Sequence, residues 1–283
     1  MALPELKVFT GSPIDDPWNA FGRALDQGVA TASNTQIVVE TTDGYTVVFT
    51  GSFTVVGGDV VGGTMTGFTA FAGSTRVMKG DGYSVDGAAL FDAIQGYNVD
   101  EDPFNDLVID IPTKFVGSSK GDEYQTRVAG SKILGKAGHD ILFAEFGEGT
   151  IIKGGNGNDI MATIEGGATF VGNKGNDSFM FLLDPLDPMT AFNRIKDFHA
   201  GEDVIGLALD SPLLLPGYLD KSQFHKGTEA TKAGHLVIYD KGSGKIYLDA
   251  DGNGAGAQFA FAKVDPGTKL GADDFFVQSL IAA

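Results

Sequence analysis

Apolar residues recur at a nearly fixed spacing in the middle of the chain. Tyr124, Leu142, Met161 and Phe179 each stand two residues after an aspartate, and the four aspartates are 18, 19 and 18 residues apart. Such a period is typical of a parallel β-roll, in which each short strand buries its apolar side chain against neighbouring coils. A second apolar series predicts a second strand in each coil, facing the first, and consists of Ile133, Ile152 and Phe170.

Residues 35–84 alternate apolar and polar positions in short runs, separated by glycine pairs such as 57–58 and 62–63. This alternation and these turn residues predict antiparallel hairpins. Helices are predicted at residues 17–25 and 84–94, the second capped by Ser84 or Asp86. The predicted strands cover residues 36–41, 45–50, 53–56, 59–61, 64–71 and 75–78.

The period ends after Phe179, and the apolar runs at 235–240 and 245–249 then predict a hairpin that turns at residues 241–244. The chain is therefore expected to be mainly β. We predict an N-terminal antiparallel, hairpin-rich domain that caps the roll (1–116), a short parallel β-roll (117–180) and a β-rich C-terminal cap (181–283). A roll this short needs flanking segments to close its two ends.

The turns that precede the first apolar series share a six-residue pattern. Its most regular copy is Gly154-Gly-Asn-Gly-Asn-Asp159, and variants begin at Gly117, Gly135 and Gly172. Residues 154–162 match the nonapeptide G-G-x-G-x-D-x-U-x in full. The region resembles the hemolysin-type calcium-binding repeats, or RTX repeats. The variants depart from the pattern at Ser118, Lys136 and Asn173 in the second position, and at Lys120 in the fourth position of the first copy.

Two later segments extend this resemblance. Residues 193–207 resemble the segment D-x-I-x-D-F-x-x-G-x-D-x-I-x-L that commonly ends RTX rolls, with Asn193 in place of the first aspartate. Residues 273–277 resemble the acidic-then-apolar ending of RTX proteins exported by type I secretion. The resemblance implies a secreted, extracellular protein of a Gram-negative bacterium, with its secretion signal in the C-terminal region and the type I secretion apparatus as a partner.

Composition and charge agree with a cation-binding β protein. The 41 glycines and 10 prolines favour many tight turns. A net charge of −17 argues against nucleic acid or an anionic membrane as the partner. The sequence has no cysteine, so disulfides are excluded. The N-terminus shows no basic region followed by an apolar core, so we expect no cleavable signal peptide and no membrane insertion.

The resemblance also implies a set of calcium ligands. Calcium takes six to eight oxygens, and main-chain carbonyls serve as well as carboxylates. Each ion would lie between consecutive turns, bound by carbonyls at motif positions 2 and 4 of one turn and 1 and 3 of the next, and by both aspartates. Four turns imply about three calcium ions. The implied ligands are Ser118, Lys120, Asp122, Gly135, Ala137 and Asp140 in the first gap, Lys136, Gly138, Asp140, Gly154, Asn156 and Asp159 in the second, and Gly155, Gly157, Asp159, Gly172, Lys174 and Asp177 in the third.

Three further segments outside these gaps contain carboxylates that can bind a cation. A fourth roll site would need a ligand such as Asp197. Residues 249–254 resemble the start of an EF-hand loop, but the twelfth position is Ala260 instead of glutamate. We interpret this segment as a β-turn, with a weak calcium site at Asp249 and Asp251 as the alternative. The acidic cluster 100–106 is interpreted as a solvated loop, with a cation site as the alternative.

These features predict a secreted, non-enzymatic calcium-binding protein whose roll folds on binding Ca²⁺ outside the cell. Without ions the stacked carboxylates repel one another, so the calcium-free roll should be destabilised. The sequence contains no H-E-x-x-H motif. Two alternatives stay open for residues 1–116, with the roll as an export and folding device. They are an enzymatic or self-processing passenger, because Asp-Pro bonds resemble the cleavage sites of some RTX modules, and a cell-surface or matrix adhesion module.

Overall fold

The computed structural model of the protein describes residues 2–9, 17–209, 211 and 213–279. The protein is mainly β, which confirms the predicted fold class. The chain forms two compact units, Met1–Ser118 and Ser119–Ala283. Within the described ranges, the helices are too short or too polar to cross a bilayer.

The first unit is built on a mostly antiparallel sheet with helices packed on it. Its elements are β1 (Glu5–Val8), α1 (Pro17–Gln27), β2 (Val29–Ala32), β3 (Gln36–Glu40), β4 (Tyr45–Val56), β5 (Asp59–Ala72), β6 (Thr75–Asp86), α2 (Gly87–Gly96), α3 (Asp102–Val108) and β7 (Lys114–Val116). The strand order is β7-β1-β6-β5-β4-β3-β2, and only the β1–β7 pair is parallel.

The hairpins are longer than the sequence predicted. Strand β4 continues through Gly51, and β5 continues through Gly62 and Gly63, so the predicted turn at 62–63 is wrong. The register shifts twice along this pair, which lets glycine remain inside the ladder. A Cβ on Gly63 would lie 2.0 Å from the carbonyl oxygen of Ser52. The predicted turn at 57–58 is confirmed, and both of its glycines have a left-handed backbone.

The helices give the first unit its core. Phe21 of α1 and Phe104 of α3 pack with Phe49 and Phe68 of the sheet, with ring centroids 5.1–6.0 Å apart. Both helices predicted between residues 17 and 94 are present. The second is capped by Asp86, whose carboxylate accepts the Ala89 amide at 2.9 Å, while Ser84 lies in β6.

The acidic cluster 100–106 is partly helical, so its interpretation as a loop is wrong. Helix α3 carries Pro103 in its first turn, a position where proline is favoured. Phe104 and Val108 are four residues apart and both are buried. The carboxylates of Asp102 and Asp106 are exposed. Burial of the apolar pair therefore accounts for the helix, with the acidic side chains on its solvated side.

The second unit contains the roll, in which parallel strands form two sheets. The first sheet of the roll contains β9 (Lys132–Ala137), β11 (Ile151–Asn156), β13 (Thr169–Lys174) and β15 (Asn193–Ile195). The second contains β8 (Glu123–Thr126), β10 (Ile141–Ala144), β12 (Ile160–Thr163), β14 (Ser178–Leu182), β16 (Val204–Ala208) and β22 (Phe275–Gln278). The parallel ladder thus continues beyond Met180.

The register of these strands confirms the two predicted apolar series. In one sheet Ile133, Ile152 and Phe170 are aligned and fully buried. The other sheet aligns the second series and extends it by Ile205, which pairs with Phe179. Members of the second series are at most 4% exposed and are Tyr124, Leu142, Met161, Phe179 and Ile205.

Four of the remaining strands of the second unit extend the first roll sheet, and one pairs with β22 at the edge of the second roll sheet. They are β17 (Gly217–Tyr218), β18 (Phe224–Lys226), β19 (Val237–Asp240), β20 (Lys245–Leu248) and β21 (Phe259–Lys263). Strands β19, β20 and β21 are antiparallel, and β21 continues the first sheet beside β15. The predicted hairpin at 241–244 is confirmed, with Gly244 in a left-handed conformation.

Candidate metal centre

The aspartates of the turns form a hydrogen-bonded ladder along one side of the roll. The main-chain amide of each aspartate donates to Oδ1 of the aspartate in the next turn. These bonds measure 2.8 Å from Asp122 to Asp140, 2.9 Å from Asp140 to Asp159 and 3.0 Å from Asp159 to Asp177. The carboxylates of Asp140, Asp159 and Asp177 are thereby held in fixed orientations between consecutive turns.

Three aspartates of the ladder are buried. Asp140, Asp159 and Asp177 are only 1–2% exposed. The Oδ2 atoms of Asp140 and Asp159 are buried and accept no hydrogen bond. Burial, with repulsion from neighbouring aspartates, raises the pKa of Asp140 to about 7 and that of Asp177 to about 6, although the amide bonds oppose the shift. Burial also raises the pKa of Asp159.

Glycine at motif position 1 makes room for these carboxylates. A Cβ on Gly135 would lie 2.2 Å from Oδ2 of Asp140 and 2.6 Å from the carbonyl oxygen of Gly154. A Cβ on Gly154 would lie 2.2 Å from Oδ2 of Asp159. Two oxygens predicted to share an ion in the second gap therefore converge on a point beside Gly135. Two converging acceptors, of which Oδ2 of Asp140 has no donor, fit a hard cation.

The backbone of the turns is left-handed at motif positions 2 and 4. Lys136 and Asn173 have φ values of 81° and 70°, and they alone among the described non-glycine residues have positive φ. The second position thus keeps this conformation even where glycine is replaced. Position 4 is glycine in these turns, with φ of 118–130° at Gly138, Gly157 and Gly175. Because φ is positive at every second position of the turn, successive carbonyl groups point in different directions, as a carbonyl-lined cation site requires.

Consecutive turns approach each other closely enough for their carbonyls to act together. A Cβ on Gly157 would lie 1.8 Å from the carbonyl oxygen of Gly138. The amides of Gly138 and Gly157 donate to the carbonyls of Asn156 and Lys174, at 2.9 and 2.8 Å. A carbonyl oxygen has two lone pairs, so Asn156 and Lys174 each keep one for another partner. Predicted ligands of the second and third gaps are therefore brought together.

The first gap is built differently. Ser118 is buried at the end of the first unit, and Lys120 is exposed in the second. Neither residue has the left-handed backbone of the other turns. Asp122 is only half-buried, unlike the later aspartates. The regular carbonyl arrangement therefore begins at the turn that contains Gly135, Ala137 and Asp140.

The closing segment adds a fifth aspartate that the sequence analysis did not select. Asp203 is 3% exposed, and its Oδ1 accepts the amide of Asp177 at 2.9 Å. Its Oδ2 accepts the amide of His199 at 2.8 Å. The signal was present in the sequence, because Ile205 follows Asp203 by two residues. Asp197, selected instead, accepts the amides of Gly172 and Asn173 at 2.9 Å each and so caps the neighbouring turn.

A second ladder runs beside the first at motif position 5. The amide of Asn158 donates to Nδ1 of His139 at 2.8 Å, and the amide of Asn176 donates to Oδ1 of Asn158 at 3.0 Å. Here the side chain of one turn accepts from the next turn, opposite in direction to the aspartate ladder. His139 is therefore a structural rung that takes the place of an asparagine.

Side chains alone do not provide a metal centre. Over the described ranges, no group of three or more His, Cys, Asp or Glu side chains is placed to hold an ion. The candidate centre is instead one of paired carboxylates and main-chain carbonyls, which suits calcium and gives no nitrogen or sulfur ligands for softer metals.

No family model and no curated protein matches the chain. Among solved structures, the chain is similar to the solution structure of the AlgE6R3 subunit from the Azotobacter vinelandii mannuronan C5-epimerase. The similarity covers 56% of this chain and 80% of that chain, with 24% sequence identity and a TM-score of 0.21.

Proposed function

We propose that the protein is a secreted calcium-binding protein of the RTX type, and that Ca²⁺ completes the folding of its roll. The observation that carries this proposal is the aspartate ladder. Asp140 and Asp159 each hold one carboxylate oxygen by an amide of the preceding turn and leave the other buried without a donor. Calcium between the turns would give these oxygens a partner.

The energetics of the ladder favour coupled binding and folding. Buried carboxylates at successive positions repel one another, and a buried acceptor without a partner costs about 1–3 kcal/mol. An ion shared by two aspartates removes both penalties. Because the carboxylates of Asp140 and Asp159 are aligned only when the strands are paired, the ions bind the folded roll in preference to the unfolded chain.

This coupling would serve export. In a compartment with little free calcium, the roll would remain open and able to pass through a type I secretion channel. Outside the cell, calcium in the millimolar range suffices even for weak extracellular sites, whose Kd values are about 10⁻⁴–10⁻³ M. The roll would then close around the proposed ions of its gaps, without a chemical reaction.

A calcium titration tests this proposal. Calcium-free full-length protein is followed by far-UV circular dichroism and small-angle X-ray scattering while CaCl₂ is added, with MgCl₂ as the matched control. We expect a saturable gain of β signal and a smaller radius of gyration with calcium, and little change with magnesium, which keeps its water ligands. A roll that is fully formed in excess chelator and binds no calcium at millimolar concentration would overturn the proposal.

A further inference from the structure

The loop 249–258 joins β20 to β21 and lies outside the ladder of the roll. Leu248 pairs with Phe259 at the ends of these strands. Asp249 and Gln258 are therefore the first residues beyond the paired ends, one after β20 and one before β21. The loop contains two carboxylates, Asp249 and Asp251, and its glycines let it curl tightly, with Gly252 at φ 63°.

Both ends of this loop carry a buried acceptor oxygen without a donor. Asp249 is only 5% exposed, and its Oδ1 accepts no hydrogen bond. Gln258 donates from Nε2 to the carbonyl oxygen of Thr228 at 2.7 Å, which fixes the orientation of its amide. The remaining atom, Oε1 of Gln258, is also buried and without a donor. Buried acceptors without a donor are rare in folded proteins, and a bound ion is one of the partners that satisfy them.

The main chain of the loop also surrounds the carboxylate of Asp251. Oδ2 of Asp251 accepts the amide of Gly256 at 2.9 Å. A Cβ on Gly254 would lie 2.1 Å from the same oxygen, so the chain passes directly over it. Within the part of the chain that the structure describes, neither Asp249 nor Asp251 takes part in a salt bridge.

We infer that Asp249, Asp251 and Gln258 form a calcium site separate from the roll. Asp249, Asp251 and Asn253 occupy the first, third and fifth positions of an EF-hand-like start, where oxygen ligands are expected. The closing ligand is absent at Ala260, but Gln258 directly precedes β21, as Asp249 directly follows β20, so both residues flank the pair Leu248–Phe259. The proposed ion would tie the open end of the β20–β21 hairpin together.

Counting bound calcium in full-length variants tests this inference. The double variant Asp249→Asn, Asp251→Asn keeps the shape of both side chains and removes their charges. The matched control is Asp265→Asn, Asp273→Asn, which changes two exposed aspartates of the same unit. In equilibrium dialysis with metal analysis, we expect the first variant to bind one ion fewer per chain and the control to match the parent. An unchanged count in a folded Asp249→Asn, Asp251→Asn protein would overturn the inference.

A second measurement needs no variant. Manganese(II) enters oxygen-lined calcium sites and broadens nearby amide resonances in ¹⁵N–¹H spectra. We expect substoichiometric Mn²⁺ to weaken the signals of Gly254 and Gly256, and added Ca²⁺ to restore them. Signals from these glycines that keep full intensity up to one Mn²⁺ per chain would contradict the site, whatever the roll binds.

Discussion

The main-chain amide of Asp140 donates a 2.9 Å hydrogen bond to Oδ1 of Asp159, while Oδ2 of the same carboxylate is buried without a donor. One oxygen of Asp159 is therefore structural and the other is free to bind a ligand. The two functions can be separated experimentally, because asparagine keeps an oxygen that can accept the amide bond but lacks the charge.

The substitution Asp159→Asn should remove two calcium ions from the roll, since Asp159 borders both the second and the third proposed gaps. Equilibrium dialysis with metal analysis measures the loss. Asp187→Asn provides the matched control, because Asp187 is exposed and outside the ladder. Equal calcium counts in the two variants would show that Asp159 does not bind an ion.

Calcium-free protein should lose stability as the pH rises from about 4 to about 8. The pKa of Asp140 is raised from 3.8 to about 7, and that of Asp177 to about 6, chiefly by burial. The folded state therefore binds more protons than the unfolded state in this window, so the free energy of unfolding falls as these protons are lost. With saturating calcium the dependence should reverse, because only ionised carboxylates bind the metal.

Thermal unfolding of dialysed, calcium-free protein at pH 5, 6, 7 and 8 measures this dependence. The control is Asp140→Asn, Asp177→Asn, in which the dependence should be much flatter. A calcium-free parent protein whose melting temperature rises over this range, with the variant following the same curve, would contradict the prediction.

The substitution Gly157→Ala should push apart the two consecutive turns that contain Gly138 and Gly157. Gly157 has φ 128°, and an added Cβ would lie 1.8 Å from the carbonyl oxygen of Gly138. We expect a loss of more than about 1–3 kcal/mol, the usual cost of unfavourable backbone conformation alone. Gly267→Ala is the control, because Gly267 has φ 92° with open space around it. Urea unfolding in saturating calcium should rank Gly157→Ala as clearly less stable than Gly267→Ala; similar stabilities would argue against close contact between the turns.

The hydrogen bond accepted by His139 should be replaceable by asparagine but not by leucine. His139 accepts the Asn158 amide, just as Asn158 accepts the Asn176 amide. His139→Asn should therefore preserve stability, whereas His139→Leu should lose about 0.5–1.5 kcal/mol, the net value of one hydrogen bond. Urea denaturation at pH 8 with calcium compares the two, and equal stability of both variants would show that the rung contributes nothing.

The aromatic core of the first unit should determine the stability of that unit. Phe104 is fully buried, with its ring centroid 5.5–6.0 Å from those of Phe21, Phe49 and Tyr97. Phe104→Ala should destabilise the first unit by about 3–5 kcal/mol. The control Val99→Ala changes a side chain that is 88% exposed. Urea unfolding should rank Phe104→Ala clearly below Val99→Ala in stability, and equal stabilities would show that the Phe104 ring contributes nothing to this core.

The sequence alone determined the roll. Its spacing of aspartates and apolar residues gave the strand register correctly, because a repeated coil requires each residue type to recur at the same place. The sequence also placed α1 and α2 and the hairpin at 241–244, where caps and turn glycines act locally. These features depend on residues that are close together in the chain, so short sequence patterns are enough to predict them.

Only the tertiary structure decided which groups complete the ladder and the loop. Asp203 follows Asp177 by 26 residues, whereas the earlier aspartates are 18 or 19 residues apart. Because the spacing changes, the sequence period does not identify Asp203 as the next aspartate of the ladder. Gln258 and Asp249 lie next to the same residue pair, Leu248 and Phe259, because β20 and β21 pair, and no local sequence pattern indicates this. Helix α3 likewise formed where its charges suggested a loop, since burial of Phe104 and Val108 outweighs the polarity of the segment. Contacts between distant residues set these positions, and their free energies depend on packing that the linear sequence does not display.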